Sequence, residues 1–301
     1  MASVASIARN LGAWRQGHNW RCPCPCGCGY SLSLSNGEDG KLLAHCFGGC
    51  EFDDVLTALV EFGLLDDDDS DMCHDVSPPV GRRALEELRS GAACWIYDRL
   101  PAATETPVEL YRYIHTARGI SIAVPSILRF GECPHRLGGS FPAMAAPVVY
   151  INDEHTGTHL TYLRADGSGK ADFAKKEFQR ECRGVIRGGA IRLAAHDPAR
   201  ELIIGEGVES TLSAMQIFGL PGWSAVCAGG LKTIELPPAV RDIVIACDHD
   251  HNGTGQRNAL GARQRWLAEG RSARIALPPV AGDDFNDTLR RRLPNGQSAQ
   301  G

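Results

Sequence analysis

Leu202-Ile203-Ile204-Gly205-Glu206-Gly207 and Ile243-Val244-Ile245-Ala246-Cys247-Asp248-His249-Asp250 are the stretches whose reading decides the fold. Each is a short, unbroken apolar run that ends on a glycine or an acid. Runs of this length without polar alternation suit strands buried on both faces, as in a parallel sheet covered by helices. The surrounding sequence completes the pattern. Val208, Leu212, Met215 and Phe218 recur at helical spacing after the first run. Ser224–Cys227 is a further run, ending at Ala228-Gly229-Gly230. Gln256–Glu269 reads as a helix stopped by Gly270, and Arg274–Leu277 closes the series. Strands alternating with helices predict an α/β domain over residues 199–292, followed by a flexible tail at 293–301.

Upstream the character changes. Residues 81–198 read as a mixed α+β region. A helix carrying Leu85, Leu88, Ala92 and Trp95 opens it, and short apolar runs such as Ala145–Ile151 and Leu160–Leu163 follow, broken by Gly and Pro. Asp166-Gly167 marks a turn. Residues 65–80 hold Asp66-Asp67-Asp68-Asp69-Ser70-Asp71 and then Ser77-Pro78-Pro79, the composition of a solvated linker. Residues 1–64 hold a cysteine cluster between two short helices, one built on Val4, Ile7, Ala8 and Leu11, the other starting near Asp53 and running through Val55, Leu56, Leu59 and Val60. The whole is a multi-domain α/β and α+β chain.

Composition bounds the function. The 301 residues carry a net charge of -5, which argues against a protein that coats nucleic acid by charge alone. No segment approaches the 18 or so apolar residues of a membrane span. Of 12 cysteines, Cys22, Cys24, Cys26, Cys28, Cys46 and Cys50 are clustered, which fits metal ligation in a reducing cytoplasm better than a disulfide scaffold. No Gly-x-x-x-x-Gly-Lys-Ser/Thr loop occurs, so no ATPase motor is encoded. His155 and His159 are four apart in a turn-rich hairpin setting, a poor frame for a zinc helix.

Ligands of parallel sheets bind outside the carboxyl ends of the strands. Glu206 stands at one such end, Asp248 and Asp250 at another. Left uncompensated, carboxylates gathered at one rim repel one another and raise one another's pKa. Divalent Mg²⁺ or Mn²⁺, which prefer hard oxygen ligands, resolve this. An extended backbone over Asp248-His249-Asp250 would put both aspartates on one side. The rival reading of Asp248-x-Asp250-x-Asn252-Gly253 as a calcium loop fails, because its twelfth position is Ala259 and it follows a strand rather than a helix. Glu206 alone, or an Asp-x-Asp pair alone, carries little weight; a solvated acid or helix cap is the ordinary alternative.

These motifs, Gly205-Glu206-Gly207 and Asp248-His249-Asp250-His251-Asn252-Gly253 with the terminal Gly282-Asp283-Asp284-Phe285-Asn286-Asp287, resemble the Toprim domain of bacterial-type primases, topoisomerases and some nucleases. The resemblance implies that Glu206 acts as general acid/base and that Asp248 and Asp250 hold metal. Asp284 and Asp287 become supporting carboxylates, with helix N-capping as their alternative.

Zinc takes four N or S ligands, usually as two close pairs far apart in sequence. One pair comes from Cys22–Cys28, the other from Cys46-Phe47-Gly48-Gly49-Cys50. Between them Ser31-Leu32-Ser33-Leu34-Ser35 alternates as a strand, Asn36-Gly37 and Asp39-Gly40 mark turns, and Leu42–Ala44 returns. That is a zinc ribbon. The module resembles the N-terminal zinc-binding domain of primase-like phage and plasmid proteins through Trp20-Arg21-Cys22-Pro23-Cys24-Pro25, the Ser-Leu-Ser-Leu run and His45–Cys50. The family often has His where this chain has Gly27. Cys24, Cys28, Cys46 and Cys50 are the expected ligands, with Cys22, Cys26 and His45 in reserve.

Lys170, Lys175, Lys176, Arg180, Arg183 and Arg187 precede the Toprim strands and would line a groove for template or triphosphate. A solvated face is the alternative, since Asp172, Glu177 and Glu181 interleave. Tyr111-Arg112, Arg118-Gly119-Ile120 and Gly188–Leu193 make this region similar to the linking domain of the same primase-like proteins. The resemblance implies a primase of mobile-element type. It would make short primers on single-stranded DNA from nucleoside triphosphates by two-metal phosphoryl transfer, beside a separate helicase. The alternatives are a Toprim nuclease and a DNA-binding accessory protein with an idle Toprim fold. A topoisomerase would need a nucleophilic tyrosine on a further domain, and all six tyrosines precede residue 199.

Overall fold

The computed structural model describes residues 4–25, 32–37, 41–47, 50–61, 64–65, 73–75, 90–91, 93–101, 107–251 and 253–292. The Asp66–Asp71 run, Ser77-Pro78-Pro79, Leu85, Leu88, Ala92 and the tail 293–301 lie outside the described residues. The chain divides into two compact units, Met1–Leu88 and Arg89–Gly301. Among the described residues no helix is long and apolar enough to cross a membrane.

In the first unit, helix α1 (Val4–Asn10) buries Val4, Ile7 and Ala8 as its spacing dictates. Strands β1 (Trp14–Gln16), β2 (Asn19–Cys22), β3 (Leu32–Asn36), β4 (Leu42–Cys46) and β5 (Cys73–Asp75) form one sheet in that order. The first four pair antiparallel, and β5 adds parallel to β4. Leu32, Leu34, Leu42, Ala44 and Cys46 point into a small core with Val55 and Leu59 of α2 (Phe52–Glu61).

The second unit holds two sheets. β6 (Arg129–Pro134), β7 (Ser140–Val149), β8 (His155–Tyr162) and β9 (Arg180–Gly184) form an antiparallel sheet in sequence order. β7 runs through Pro142 and Pro147, where the apolar run read from sequence begins only at Ala145. The Pro142 carbonyl still accepts the Leu163 N–H, 2.8 Å away, so in this inner strand the proline gives up its donor and keeps its acceptor paired. Helix α3, residues 93–98, packs on this sheet with Ala93, Ile96 and Tyr97 buried. Its expected core residue Trp95 is instead 60% exposed, with the Arg99 guanidinium 4.7 Å from its ring. A short helix α4 (Val108–Tyr111) continues as a π-helix, Arg112–Ala117.

The other sheet has the order β10 (Ile191–Arg192), β12 (Gly222–Ser224), β11 (Leu202–Gly205), β13 (Asp242–Ala246), β14 (Ser272–Ala276). β12, β11, β13 and β14 are parallel, and β10 is an antiparallel edge. The crossovers are α5 (Val208–Phe218), the turn-length α6 (Gly230–Thr233) and α7 (Thr254–Ala268), with α8 (Phe285–Arg292) after β14. Val244 and Ala246 face one core with Leu212, Tyr113 and Met144, while Ile243, Ile245 and Cys247 face another with Ala259, Ala262 and Trp266. Burial on both faces explains the unbroken apolar runs, each side chain stabilising by roughly 1.5–3 kcal/mol. The run expected at Ser224–Cys227 ends early. Val226 adopts φ 73°, the left-handed region that a β-branched residue resists, and the strand stops at Ser224.

Gly205 is the last residue of β11, and a Cβ there would overlap Thr211 Oγ1, which donates 2.6 Å to the Gly207 carbonyl. Gly205→Ala is therefore expected to destabilise by about 1–3 kcal/mol, measured by urea unfolding. An unchanged midpoint would show that α5 does not press on the strand.

Candidate metal centres

In β11 and β13, Gly205 lies opposite Ala246. The next residues, Glu206 and Cys247, leave the sheet side by side, and the Asp248 N–H donates to Glu206 Oε1 at 3.2 Å. Past Cys247 the backbone no longer extends as a strand. The two aspartates are held by different helices, and both act on Glu206. Asp248 Oδ1 accepts from Ser210 Oγ of α5 at 2.7 Å, and Asp250 Oδ2 accepts the Gly255 N–H of α7 at 3.3 Å. Gly255 keeps the rim open: a Cβ there would stand 2.6 Å from Glu206 Oε1 and 3.1 Å from Asp250 Oδ2. Gly253, at φ 69°, makes the turn into α7.

The loop before α8 closes the rim. His249 N–H donates to the Asp283 carbonyl at 2.9 Å, and the Phe285 N–H reaches Ser210 Oγ at 3.4 Å. Asp284 and Asp287 cap α8 reciprocally: the Asp287 N–H donates to Asp284 Oδ1 at 2.8 Å, and the Asp284 N–H to Asp287 Oδ2 at 3.3 Å. Asp284 also faces the rim, since its charge acts on Asp248.

Electrostatics at this rim are those of an acid cluster short of positive charge. Burial first, then the Asp248 and Asp250 charges, push Glu206 up to about 8. Burial, then Asp284 and Asp250, push Asp248 up to about 7 against the hydrogen bond from Ser210 and the charge of Arg180. Burial, then Asp287, raise Asp284. A donor set of hard carboxylate oxygens in this condition suits a divalent cation. The rim is wider than a single tight shell. Among the described residues, the only trio of Cys, His, Asp or Glu ligand atoms within 4.8 Å of one another is made by cysteines.

Glu209, the second residue of α5, is a buried acid that no sequence motif marked. Its Oε1 accepts from Tyr113 Oη at 2.7 Å and pairs with Lys170 Nζ at 2.9 Å, and Arg118 donates to Tyr113 Oη at 3.0 Å. Burial alone would raise its pKa. Lys170 and then Arg118 outweigh that and hold Glu209 well below the usual carboxylate range. Its place in the first turn of α5, three residues after Glu206, was the available signal. Among the other basic residues, Arg183 pairs with buried Glu181 at 3.0 Å, Lys175 and Lys176 are exposed, and Arg187 is half-buried.

The cysteine trio is Cys24, Cys46 and Cys50. Cys24 Sγ lies 3.7 Å from Cys46 Sγ and 3.8 Å from Cys50 Sγ. Four thiolates about 2.3 Å from one tetrahedral zinc stand about 3.8 Å apart, so the spacing fits that ion. Cys28 and Cys26 lie outside the described residues. Cys22 is not in the trio. Its buried thiol approaches the Leu32 carbonyl at 3.8 Å, and burial pushes it up to about 12. His45, one residue before Cys46 on β4, sits on the opposite face, its ring edge-on to Phe47 at 4.4 Å.

Residues 201–295 match the model of the Toprim domain, so the C-terminal part of this chain is a Toprim domain. Residues 87–193 match a domain of unknown function, DUF7146. No curated protein matches the chain. Among solved structures, the zinc-binding and RNA polymerase domains of the Aquifex aeolicus primase are 13% identical at a TM-score of 0.46, covering 97% of this chain and 80% of that one. The DnaG primase catalytic domain bound to ssDNA is 14% identical at 0.43, covering 70% and 78%. The primase fragment of the bacteriophage T7 primase-helicase is 17% identical at 0.41, covering 60% and 71%.

The raised acids set a pH dependence. A carboxyl with a folded pKa above its unfolded value stabilises below the unfolded value, and that contribution is lost as pH rises through the folded one. For Glu206 the window runs from 4.5 to about 8 and for Asp248 from 3.8 to about 7. The chelator-treated chain should therefore melt at lower temperature as pH rises through this window, and Glu206→Gln should flatten the fall. Identical slopes for both proteins in thermal melts would refute the buried charge.

Proposed function

We propose that this chain, whose C-terminal part is a Toprim domain, is a template-directed nucleotidyltransferase that makes short primers on single-stranded DNA from nucleoside triphosphates. The observation that carries the reading is the placement of Glu206 beside Asp248 at the ends of adjacent parallel strands, both held ready to ionise fully only when positive charge arrives. Toprim domains recur in primases, topoisomerases and nucleases. The cysteine trio of the first unit favours the primase among them, since a zinc ribbon supplies a grip on single-stranded template.

Glu206, Asp248 and Asp250 would hold Mg²⁺ or Mn²⁺, with Asp284 and Asp287 in support; two such ions offset triphosphate charge and acidify the attacking 3′-hydroxyl. Glu206 would accept the proton of that hydroxyl from its place at the strand end beside Asp248. Ser210 keeps Asp248 turned toward the rim. Lys170, Lys175, Lys176, Arg183 and Arg187 would face the template and triphosphate phosphates, although Lys170 and Arg183 share their charge with Glu209 and Glu181. Cys24, Cys28, Cys46 and Cys50 would hold a structural zinc. Duplex opening falls to a separate helicase, and the cysteine usage fits a cytoplasmic protein.

Incubating the intact chain with single-stranded templates, labelled nucleotides and Mg²⁺ or Mn²⁺ is expected to yield short oligomers. Glu206→Gln should lower the yield on the order of 10²-fold or more. Shortening of the labelled template in place of synthesis would establish a nuclease and end this reading. Metal analysis should find zinc in the wild-type chain, and Cys46→Ser should lose both the zinc and template binding. A zinc-free wild-type protein that still binds template would remove the ribbon from the account.

A further inference from the structure

We propose that Asp283 and Arg291 are positioning residues that clamp the metal-bearing loop. Arg291 holds the Asp283 side chain, and the Asp283 backbone holds His249 between Asp248 and Asp250. The inference rests on the reading of Glu206, Asp248 and Asp250 as the metal site.

Asp283 stands beside Asp284 in the closing motif, yet its carboxylate is already engaged on both oxygens. Arg291, in the last turn of α8, meets it with both arms of its guanidinium: Nη2 donates to Oδ1 at 2.8 Å, and Nη1 donates to Oδ2. The Asp283 side chain is 8% exposed, and an acid buried that deeply needs such a partner.

The backbone of the same segment is zipped to the metal loop. The His249 N–H donates to the Asp283 carbonyl at 2.9 Å, and the Gly282 N–H donates to the His249 carbonyl at 2.6 Å. The His249 ring adds a third tie, its Nδ1–H reaching the Pro278 carbonyl at 2.9 Å. Gly282, at φ 90°, lets the two loops come this close: a Cβ there would stand 2.6 Å from His251 Nε2. These three bonds fix the backbone from which both aspartates project. α8 itself is anchored elsewhere. Phe285 and Leu289 enter the core with Leu212 of α5, and Asn286 Nδ2 donates to Ser213 Oγ at 3.0 Å. The Arg291–Asp283 pair thus ties the loop to a fixed helix. Groups that stand behind a metal ligand govern affinity nearly as strongly as the ligand itself.

The sign of the effect separates this role from its rivals. Arg291 is a cation held on the segment that carries Asp284. Coulomb repulsion alone predicts that its removal strengthens binding of a divalent cation. An Asp283 released to act as a ligand predicts the same. A clamp predicts the reverse.

The test is Mn²⁺ titration calorimetry and amide hydrogen exchange on the intact chain, with thermal melts to establish folding. Arg291→Ala is the main variant, because that side chain is 55% exposed and lies outside the core. It is expected to weaken Mn²⁺ binding about tenfold and to speed exchange of the His249 and Gly282 amides in the metal-free chain. Arg291→Lys should recover part of both. Adding Arg291→Ala to Asp283→Asn should change little further, because the pair is already broken. If the alanine variant fails to fold, Arg291→Gln takes its place. Tighter or equal Mn²⁺ binding by a folded Arg291→Ala chain, or unchanged amide exchange, overturns the clamp and leaves the metal site standing. A wild-type chain that takes up no Mn²⁺ overturns the metal-site reading and the clamp with it.

Discussion

Carboxylates of one sign gather at the carboxyl ends of two parallel strands, Glu206 buried and Asp248 half-buried, and much of the second unit is arranged around that constraint. Burial penalises the charged forms of Glu206, Asp248 and Asp284, and Asp248 acts on Glu206 as Asp284 acts on Asp248. The chain answers with single donors from different elements: the Asp248 N–H for Glu206, Ser210 of α5 for Asp248, the Gly255 N–H of α7 for Asp250. None of these removes the charge. Glu209, a few residues away, shows the other solution, in which Lys170, Tyr113 and Arg118 neutralise a buried acid within the protein. The contrast separates an acid neutralised inside the framework from acids whose own neighbours hold them above the usual carboxylate range.

The framework that tolerates this strain is the sandwiched sheet. Alternate residues of β11 and β13 enter two cores, so each strand end is fixed from both sides. The edge strand β10 and the π-helix residues Tyr113 and Ile114 bring the middle of the chain into the same construction. Asn286 of α8 donates to the Arg118 carbonyl at 2.7 Å and to Ser213 Oγ at 3.0 Å, linking three segments far apart in sequence. Val226 holds its left-handed backbone beside Ser224, whose hydroxyl bonds the Glu206 carbonyl. Such conformations cost about 1–3 kcal/mol and persist where surrounding packing over-determines them.

The first unit solves a smaller problem. Its core is a few leucines and valines beneath a short sheet, and it gathers Cys24, Cys46 and Cys50 where the hairpin ends meet. A core of that size gains from a bound ion, because ligand thiols drawn from distant segments tie together what burial alone holds weakly.

How much was legible beforehand depended on whether the signal was local. Periodicity marked α1, α2, α5 and α7, and unbroken apolar runs marked β11 and β13, because burial on both faces leaves no polar residue to interrupt them. The motifs at Glu206 and Asp248 were legible because a strand end followed by an acid is a short-range pattern. The early stop of β12 at Ser224, the exposure of Trp95 and the different helices that hold Asp248 and Asp250 were not, since each is decided by what packs against the backbone from elsewhere. The same holds for Glu209, whose role depends on Tyr113 and Lys170 arriving from other segments. Sequence by itself determined the order of strands and helices and the chemical types at their ends. Only the tertiary structure decided which acids are neutralised and which remain open, because charge is settled by neighbours in space.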